Sequence, residues 1–262
     1  MPPPSSGLVA WQNARDIVLA DGAAVSSWAD SGPNGYAATQ ATGTKQPAYR
    51  ANAASLGFPG VQFDGGDNLG YAAAGYLAAT NNAASALVAT VARFTTIPGA
   101  GVTNNTFAIC NGSTATNSRM RGGLVGAAFQ IGGRRLDADA NQVVNAGTAL
   151  VNTTYMLTFE MDWANNDARV WVGRTLTVES LAFQTAGTTS ATNAQNASIG
   201  SRGDGTIEWM LGFLFEVVTY KPTLSSTDRT ALWDWLEYQW FGGPAPGVPN
   251  PPPPQRRIAY RR

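Results

Sequence analysis

The sequence has 262 residues, of which 44% are hydrophobic and 13% are charged. Its 17 Lys and Arg residues balance its 17 Asp and Glu residues, so the whole-chain charge indicates neither a nucleic-acid nor a membrane partner. The single cysteine excludes an intramolecular disulfide, and the lack of histidine excludes His-containing zinc sites and His-dependent catalytic triads.

The chain begins with MPPPSSG, which predicts an extended arm over residues 1–6 because proline fixes φ and lacks an N–H donor. This start has neither the basic region nor the apolar stretch of a secretory signal. No later run approaches the roughly 18 apolar residues of a membrane span. We therefore expect no signal peptide and no membrane-spanning segment.

Residues 7–242 form a series of short apolar runs separated by turn residues, which is typical of an all-β domain. We expect strands in VSSWAD, VQFDG, ALVATVARF, TFAIC and LVGAAFQI. YMLTFEMDW alternates apolar and polar residues, and ARVWVG follows it after a turn at Asn165–Asp167, which predicts a hairpin with one buried face. Residues 208–220 are apolar on both faces and predict a central strand.

One helix is predicted after Pro222. Ser225 can act as its N-cap with Asp228 at the third helical position, and Gly242 with Gly243 should end it. Its apolar stripe consists of Leu232, Trp235, Leu236 and Trp240. We expect this stripe to pack on the sandwich.

Residues 243–262 are rich in proline and end in arginine, so we do not expect them to fold alone. They carry four arginines and no acid, which leaves 13 basic against 17 acidic residues in the rest of the chain. We predict an arm that anchors the domain to a larger protein assembly; the alternative is a disordered, solubilising end. The anchor residues would be Arg256, Arg257, Ile258, Tyr260, Arg261 and Arg262. Readout of a nucleic-acid sequence is not expected from so few charges.

Several segments resemble a known family when they are taken in order. They are GLVAWQNARDI, VSSWADSGPNGYAATQ, QPAYRANA, GFPGVQFDGGDNL, YMLTFEMDWANNDARVWVG and IGSRGDGTIEWMLGFLFEVVTYKPTLSSTDRTALWDWL. Together they are similar to concanavalin A-like lectin/glucanase domains of the laminin-G type, which occur in bacterial surface and bacteriophage proteins. The resemblance covers about residues 7–241. It implies a two-sheet antiparallel jelly-roll sandwich with one short C-terminal helix, whose ligand, where there is one, is a carbohydrate.

Residues 61–71, VQFDGGDNLGY, offer a candidate metal site. Asp64, Asp67 and Asn68 carry the hard oxygen ligands that calcium takes. The alternative is a tight turn in which Gly65 and Gly66 supply positive φ, and we favour that alternative because no fourth ligand is evident. No other cofactor is expected.

Glu160 and Asp162 are a candidate catalytic pair, because strand alternation places them on one face. The resemblance includes laminarinase-like glucanases, which use a strand motif Glu-x-Asp-x-Glu. Here the third position is Ala164, so the acid/base partner is missing. We therefore expect a solvated strand face and no enzymatic activity.

Three aromatic residues near predicted turns, Trp28, Tyr71 and Tyr76, are the candidate sugar-stacking platforms. Six other tryptophans lie where periodicity predicts packing roles: Trp163, Trp171, Trp209, Trp233, Trp235 and Trp240.

Two functional hypotheses follow. The first is a non-catalytic structural or display module anchored by its arms, such as a capsid decoration or fibre component on the surface of a bacteriophage virion, with glycan binding as an added property. The alternative is a carbohydrate-binding lectin domain of a surface protein. A glycoside hydrolase is a third hypothesis, less favoured than these two. The sequence leaves open whether the protein forms homo-oligomers and whether it would join a capsid or a tail.

Overall fold

The computed structural model describes residues 2–111, 118–180, 185–191, 194–203 and 205–243. These residues form two eight-stranded antiparallel sheets, so the predicted all-β sandwich is confirmed. In chain order the strands are β1 (Leu8–Asn13), β2 (Ser27–Trp28), β3 (Ala38–Thr39), β4 (Ala48–Arg50), β5 (Gly60–Asp64), β6 (Leu69–Tyr71), β7 (Ser85–Phe94), β8 (Thr103–Asn111), β9 (Ser118–Val125), β10 (Ala128–Gly133), β11 (Gln142–Ala146), β12 (Thr154–Asp162), β13 (Asp167–Val172), β14 (Thr175–Ser180), β15 (Ala194–Ile199) and β16 (Leu211–Tyr220).

The helical elements are short. They are the helices α1 (Ala74–Leu77) and α2 (Ser226–Trp240) and the 3-10 helices Ala14–Asp16, Gly43–Lys45, Ala53–Ser55 and Ala78–Thr80. Among the described residues, no helix has the length and apolar character needed to cross a membrane.

The first sheet has the strand order β14-β13-β12-β7-β16-β5-β4, and β1 also pairs with β16. β5 pairs with Leu211–Leu214 of β16, and β1 pairs with the part of β16 from Glu216 to Tyr220, so two short strands share one edge of β16. β16 is therefore central, as its apolar sequence predicts. The second sheet has the order β11-β10-β9-β8-β15-β6-β3-β2.

The two sheets pack face to face around an aromatic core. Phe107 of β8 meets Phe159 of β12 with ring centroids 5.6 Å apart. Gly122 of β9 faces this pair so closely that a Cβ there would lie 2.5 Å from the Phe107 ring. Residues next to Gly122, such as Arg121, consequently point to the outer face of the second sheet.

Helix α2 covers the outer face of the first sheet. Its N-cap is formed as predicted, because the Asp228 N–H donates to the Ser225 hydroxyl at 3.1 Å. The Trp233 indole N–H donates to the Thr158 hydroxyl at 3.0 Å, which fixes the helix on β12. Gly242 follows the helix with φ +69°, a left-handed conformation that suits glycine. The prediction that β12 has only one buried face is therefore wrong, because α2 buries the second.

One further expectation needs correction. LVGAAFQI is not one strand: Gly126, at φ +54°, turns the chain between β9 and β10. In the predicted N-terminal arm, Pro3 is buried and the Pro4 carbonyl accepts from the Tyr220 hydroxyl at 3.1 Å, so these residues lie against the domain. The predicted anchor residues of the C-terminal arm lie outside the described residues, so their role stays a prediction.

Candidate functional site

Two cavities flank the 3-10 helix Ala14–Asp16 and share Asn13 and Asp16 as lining residues. The first, of about 250 Å³, lies between this helix, the loop that follows it and β2. The second, of about 340 Å³, lies between the helix, β1 and α2. We call the two cavities together the cleft. The lining of the first cavity includes Asn13, Asp16, Ser26, Ser27 and Trp28. The lining of the second includes Trp11, Asn13, Arg15, Asp16, Trp235 and Gln239.

Short polar side chains hold the walls of the cleft in place. The Asn13 side chain accepts a hydrogen bond from the Arg15 N–H at 2.8 Å, which starts the 3-10 helix directly after β1. Asp30 accepts from the N–H of Trp11 at 2.8 Å and of Tyr36 at 2.8 Å, so the loop after β2 is tied to β1. The Ser31 hydroxyl donates to the Asp16 carboxylate at 2.5 Å. Residues 11–16 and 30–36, two segments separated in sequence, are thus fixed against each other.

Each cavity has a buried tryptophan in its wall. Trp28 is 1% exposed in the first cavity and Trp235 is 2% exposed in the second. Within the described part of the chain, neither indole N–H has a hydrogen-bond acceptor. A buried donor without an acceptor costs about 1–3 kcal/mol. Both N–H groups are enclosed in this conformation, so a ligand oxygen would relieve this cost only after a side-chain movement that exposes the N–H to the cavity.

Trp11 adds a half-buried aromatic ring to the cleft. It meets Trp235 edge-on, with ring centroids 5.3 Å apart. Its indole N–H donates to the carboxyl group of Glu216, which also accepts from the Trp240 indole N–H. Complete burial raises the pKa of Glu216 well above its usual value, because the charged form loses its hydration. Glu216 therefore joins β1, β16 and α2 and orients Trp11.

Arg15 is occupied by contacts of its own. Its guanidinium donates to the Gln239 carbonyl at 2.5 Å and lies 4.6 Å from the ring centroid of Trp240. A cation over an aromatic face is attracted by the ring. Arg15 thus fastens the 3-10 helix to the end of α2.

The structure places only one of the three predicted sugar platforms at the cleft. Trp28 lines it, but its ring is buried and offers no stacking face. Tyr71 and Tyr76 stack on each other in the core at 3.6 Å, with exposures of 4% and 1%. The Tyr71 hydroxyl donates to the Gln12 side chain at 2.7 Å. The expectation that nearby turns expose these two rings is therefore corrected.

Asp64, Asp67 and Asn68 form the turn between β5 and β6. Asp67 accepts from the Asp64 N–H at 3.0 Å, and Asp64 accepts from the Gly66 N–H at 3.0 Å. Asn68 accepts from the Gln40 side chain at 2.8 Å. Burial, with the nearby Asp64 charge, raises the pKa of Asp67 to about 6. Among the residues that the structure describes, no three His, Cys, Asp or Glu side chains form a group that could hold a metal ion.

Glu160 is buried, which corrects the expectation of a solvated strand face. Its carboxylate accepts from Arg169 at 2.5 Å, from the Thr223 hydroxyl at 2.7 Å and from Arg229 at 3.2 Å. Asp162, its predicted partner, lies 3.8 Å from Arg169. The Glu160 side chain is 2% exposed, so a saccharide cannot reach it in this conformation.

A second polar cluster lies on the outer face of the second sheet. This outer-face network consists of Asn105, Arg121, Gln130, Asn145 and Glu208. Arg121 pairs with Glu208 at 3.1 Å and donates to Gln130 at 3.2 Å, while Asn105 donates to Glu208 at 2.7 Å. Glu208 holds a left-handed backbone with φ +59°. Most of these groups bond to one another, but the Arg121 Nε–H, like the indole N–H groups of Trp28 and Trp235, has no acceptor within the described residues.

No protein-family model matches the sequence, and neither does any curated protein. Among solved structures, the sialidase of Trypanosoma rangeli aligns with a TM-score of 0.60 and 17% identity over 90% of this chain and 33% of that chain. A botulinum neurotoxin type C structure aligns with a TM-score of 0.56 and 9% identity over 88% of this chain and 52% of that chain. The CBM40 of Ruminococcus gnavus IT-sialidase, bound to α2,3-sialyllactose, aligns with a TM-score of 0.49 and 14% identity over 64% of this chain and 92% of that chain. This chain thus spans about a third of the sialidase chain and half of the neurotoxin chain, and the similarities to these two show the fold alone.

Proposed function

We propose that this β-sandwich is a non-catalytic carbohydrate-binding module and that the cleft holds the sugar. The observation that carries the proposal is the pair of cavities that share Asn13 and Asp16, each with a buried tryptophan N–H that lacks an acceptor. Sugar hydroxyls supply oxygen acceptors for these donors. They also donate to the side-chain oxygens of residues such as Asp16 and Ser27.

The shape of the cleft suits a small saccharide. Binding sites of this kind are concave and mostly apolar, with a few polar groups that fix orientation. Trp11 provides a partly exposed ring of the kind on which the apolar side of a sugar packs. The fold agrees with this use, since the neurotoxin structure with a similar fold describes an interaction with two ganglioside molecules.

The charges of the cleft support a binding role without catalysis. Retaining glycosidases need two carboxyl groups about 5 Å apart, and inverting enzymes need two that are farther apart. The residues that line the two cavities include one carboxylate, Asp16. The Glu160 carboxylate, one half of the candidate catalytic pair, is enclosed by two arginines.

Replacing tryptophan with phenylalanine tests this proposal, because it removes the indole N–H and keeps an aromatic ring. We expect a glycan array to identify a saccharide ligand, and Trp28→Phe and Trp235→Phe each to weaken its binding about fivefold, the value of one hydrogen bond. Trp163→Phe is the matched control. Trp163 is 1% exposed and its N–H lacks an acceptor among the described residues, yet it does not line the cleft.

Two results would contradict the proposal. One is an array on which the full chain binds no glycan. The other is a loss of affinity in Trp163→Phe equal to that in the two cleft variants, measured by calorimetry on folded protein.

Attachment of the module to a larger assembly, including a bacteriophage virion, is a separate proposal based on the sequence alone. It is supported by the arginine-rich end of residues 243–262, in which Ile258 and Tyr260 would be the apolar anchors. The measurement is incorporation into particles of the full chain compared with a chain that lacks residues 244–262. Equal incorporation would contradict the anchoring role.

A further inference from the structure

The charge of the cleft limits which sugars it can hold. Within the described part of the chain, Asp16 is the only charged residue that lines the first cavity, and the polar residues around it, Asn13, Ser26 and Ser27, are neutral. One oxygen of the Asp16 carboxylate accepts from the Ser31 hydroxyl, which fixes the carboxylate at the wall. A ligand in this cavity therefore meets one negative charge and no positive charge from the wall.

The second cavity differs, because Arg15 and Asp16 both line it and their charges offset each other there. The Arg15 guanidinium donates to the Gln239 carbonyl and lies over the Trp240 ring, but it keeps its charge and has further N–H donors. Discrimination against anionic ligands is therefore expected of the first cavity.

We infer that the first cavity selects neutral saccharides over sugars that carry a carboxylate or sulfate, and that Asp16 is the specificity-determining residue. This inference rests on the proposed carbohydrate-binding function. Two like charges about 5 Å apart near a protein surface repel enough to weaken binding roughly tenfold or more. A neutral sugar meets no such repulsion, and its hydroxyl groups can donate to the Asp16 carboxylate.

The test compares the affinities of the full chain for the two members of matched pairs of oligosaccharides. Each pair consists of a neutral glycan and the same glycan with a terminal sialic acid or a sulfate, and their affinities are measured by calorimetry at low salt. We expect the neutral member of each pair to bind at least about tenfold more tightly. Asp16→Asn should bring the two members to within about threefold of each other by strengthening the binding of the acidic one.

Glu179→Gln provides the control for net charge. Glu179 lies on β14 at the far edge of the first sheet, five strand spacings from β1, and its partner Arg169 keeps Glu160 and Asp167. This variant changes the net charge by the same amount and should leave the preference of the wild-type chain unchanged.

The outcomes separate the two proposals. Glycan binding with equal or tighter affinity for the acidic members overturns the role of Asp16 and leaves the carbohydrate-binding function standing. A preference for neutral glycans that persists in Asp16→Asn also overturns it. Absence of binding to every member of every pair overturns both.

Discussion

Replacing Glu160 with glutamine distinguishes a structural carboxylate from a catalytic one. The substitution keeps the shape of the side chain and removes the charge that pairs with Arg169 and Arg229. Arg169 retains Asp167 and Glu179 as partners. Arg229 keeps its positions 4.5 Å from the ring centroid of Trp171 and 5.6 Å from that of Trp233. The loss therefore falls mainly on the contact between β12 and α2.

The expected cost follows from this geometry. Breaking a buried ion pair by removing one partner costs about 3–5 kcal/mol, because the other charge stays buried. Since Arg169 keeps two other carboxylates, we take the lower end and expect Glu160→Gln to reduce the free energy of unfolding by about 3 kcal/mol. This is a large share of the roughly 5–15 kcal/mol that stabilises a typical domain.

Urea unfolding followed by tryptophan fluorescence measures this loss. With a denaturant dependence of about 3 kcal/mol per molar urea, the midpoint should fall by about 1 M. Asp162→Asn is the matched control, because Asp162 contacts Arg169 only at 3.8 Å, and it should cost less than about 1 kcal/mol. An unchanged midpoint in Glu160→Gln, together with a loss of polysaccharide turnover, would refute the structural role and favour catalysis.

Two further predictions concern the core and the turn after β5. Burial raises the pKa of Asp67 from 3.8 to about 6, so the folded state binds its proton more tightly than the unfolded state does. The contribution of Asp67 to the free energy of unfolding should then fall by up to about 3 kcal/mol as the pH rises from about 4 to about 6, and Asp67→Asn should remove this part of the decline. Burial also raises the pKa of Glu216, whose contribution stays in both proteins. Equal declines of the two proteins in parallel urea titrations across that range would contradict the prediction. Gly122→Ala should cost about 1–3 kcal/mol or more, because the new methyl group would overlap the Phe107 ring; a thermal midpoint equal to that of the wild type would contradict the packing described.

Local patterns predicted the parts of the fold that neighbouring residues determine. The alternation in residues 155–163 and the turn after it predict the hairpin of β12 and β13, which forms with Glu160 opposite Arg169. Ser225 and Asp228 predict the start of α2 because capping involves residues only three positions apart. Both features depend on backbone geometry within one turn or one hairpin.

The cleft could not be predicted in the same way. The segment GLVAWQNARDI indicates the fold through its resemblance to a family. No local pattern in it marks Trp11, Asn13 or Asp16 as residues that line a cavity. Trp235 was expected to pack on the sandwich, which it does, but the same position also brings it to the wall of a cavity. The sequence does contain a cluster of planar polar residues directly after an aromatic strand residue, Trp11. This cluster lines a cavity only because α2 packs beside it.

The sequence by itself determined the class of the domain, its central strand β16 and its capped helix, because hydrophobic periodicity and turn chemistry act over a few residues. The tertiary structure alone decided which carboxylates are buried and where a ligand can enter. Glu160 looks solvated in a strand that alternates, yet it is enclosed by Arg229 from a helix 69 residues later. A periodic pattern predicts which face of a strand is apolar. It does not predict whether a distant segment, here α2, buries the opposite, polar face.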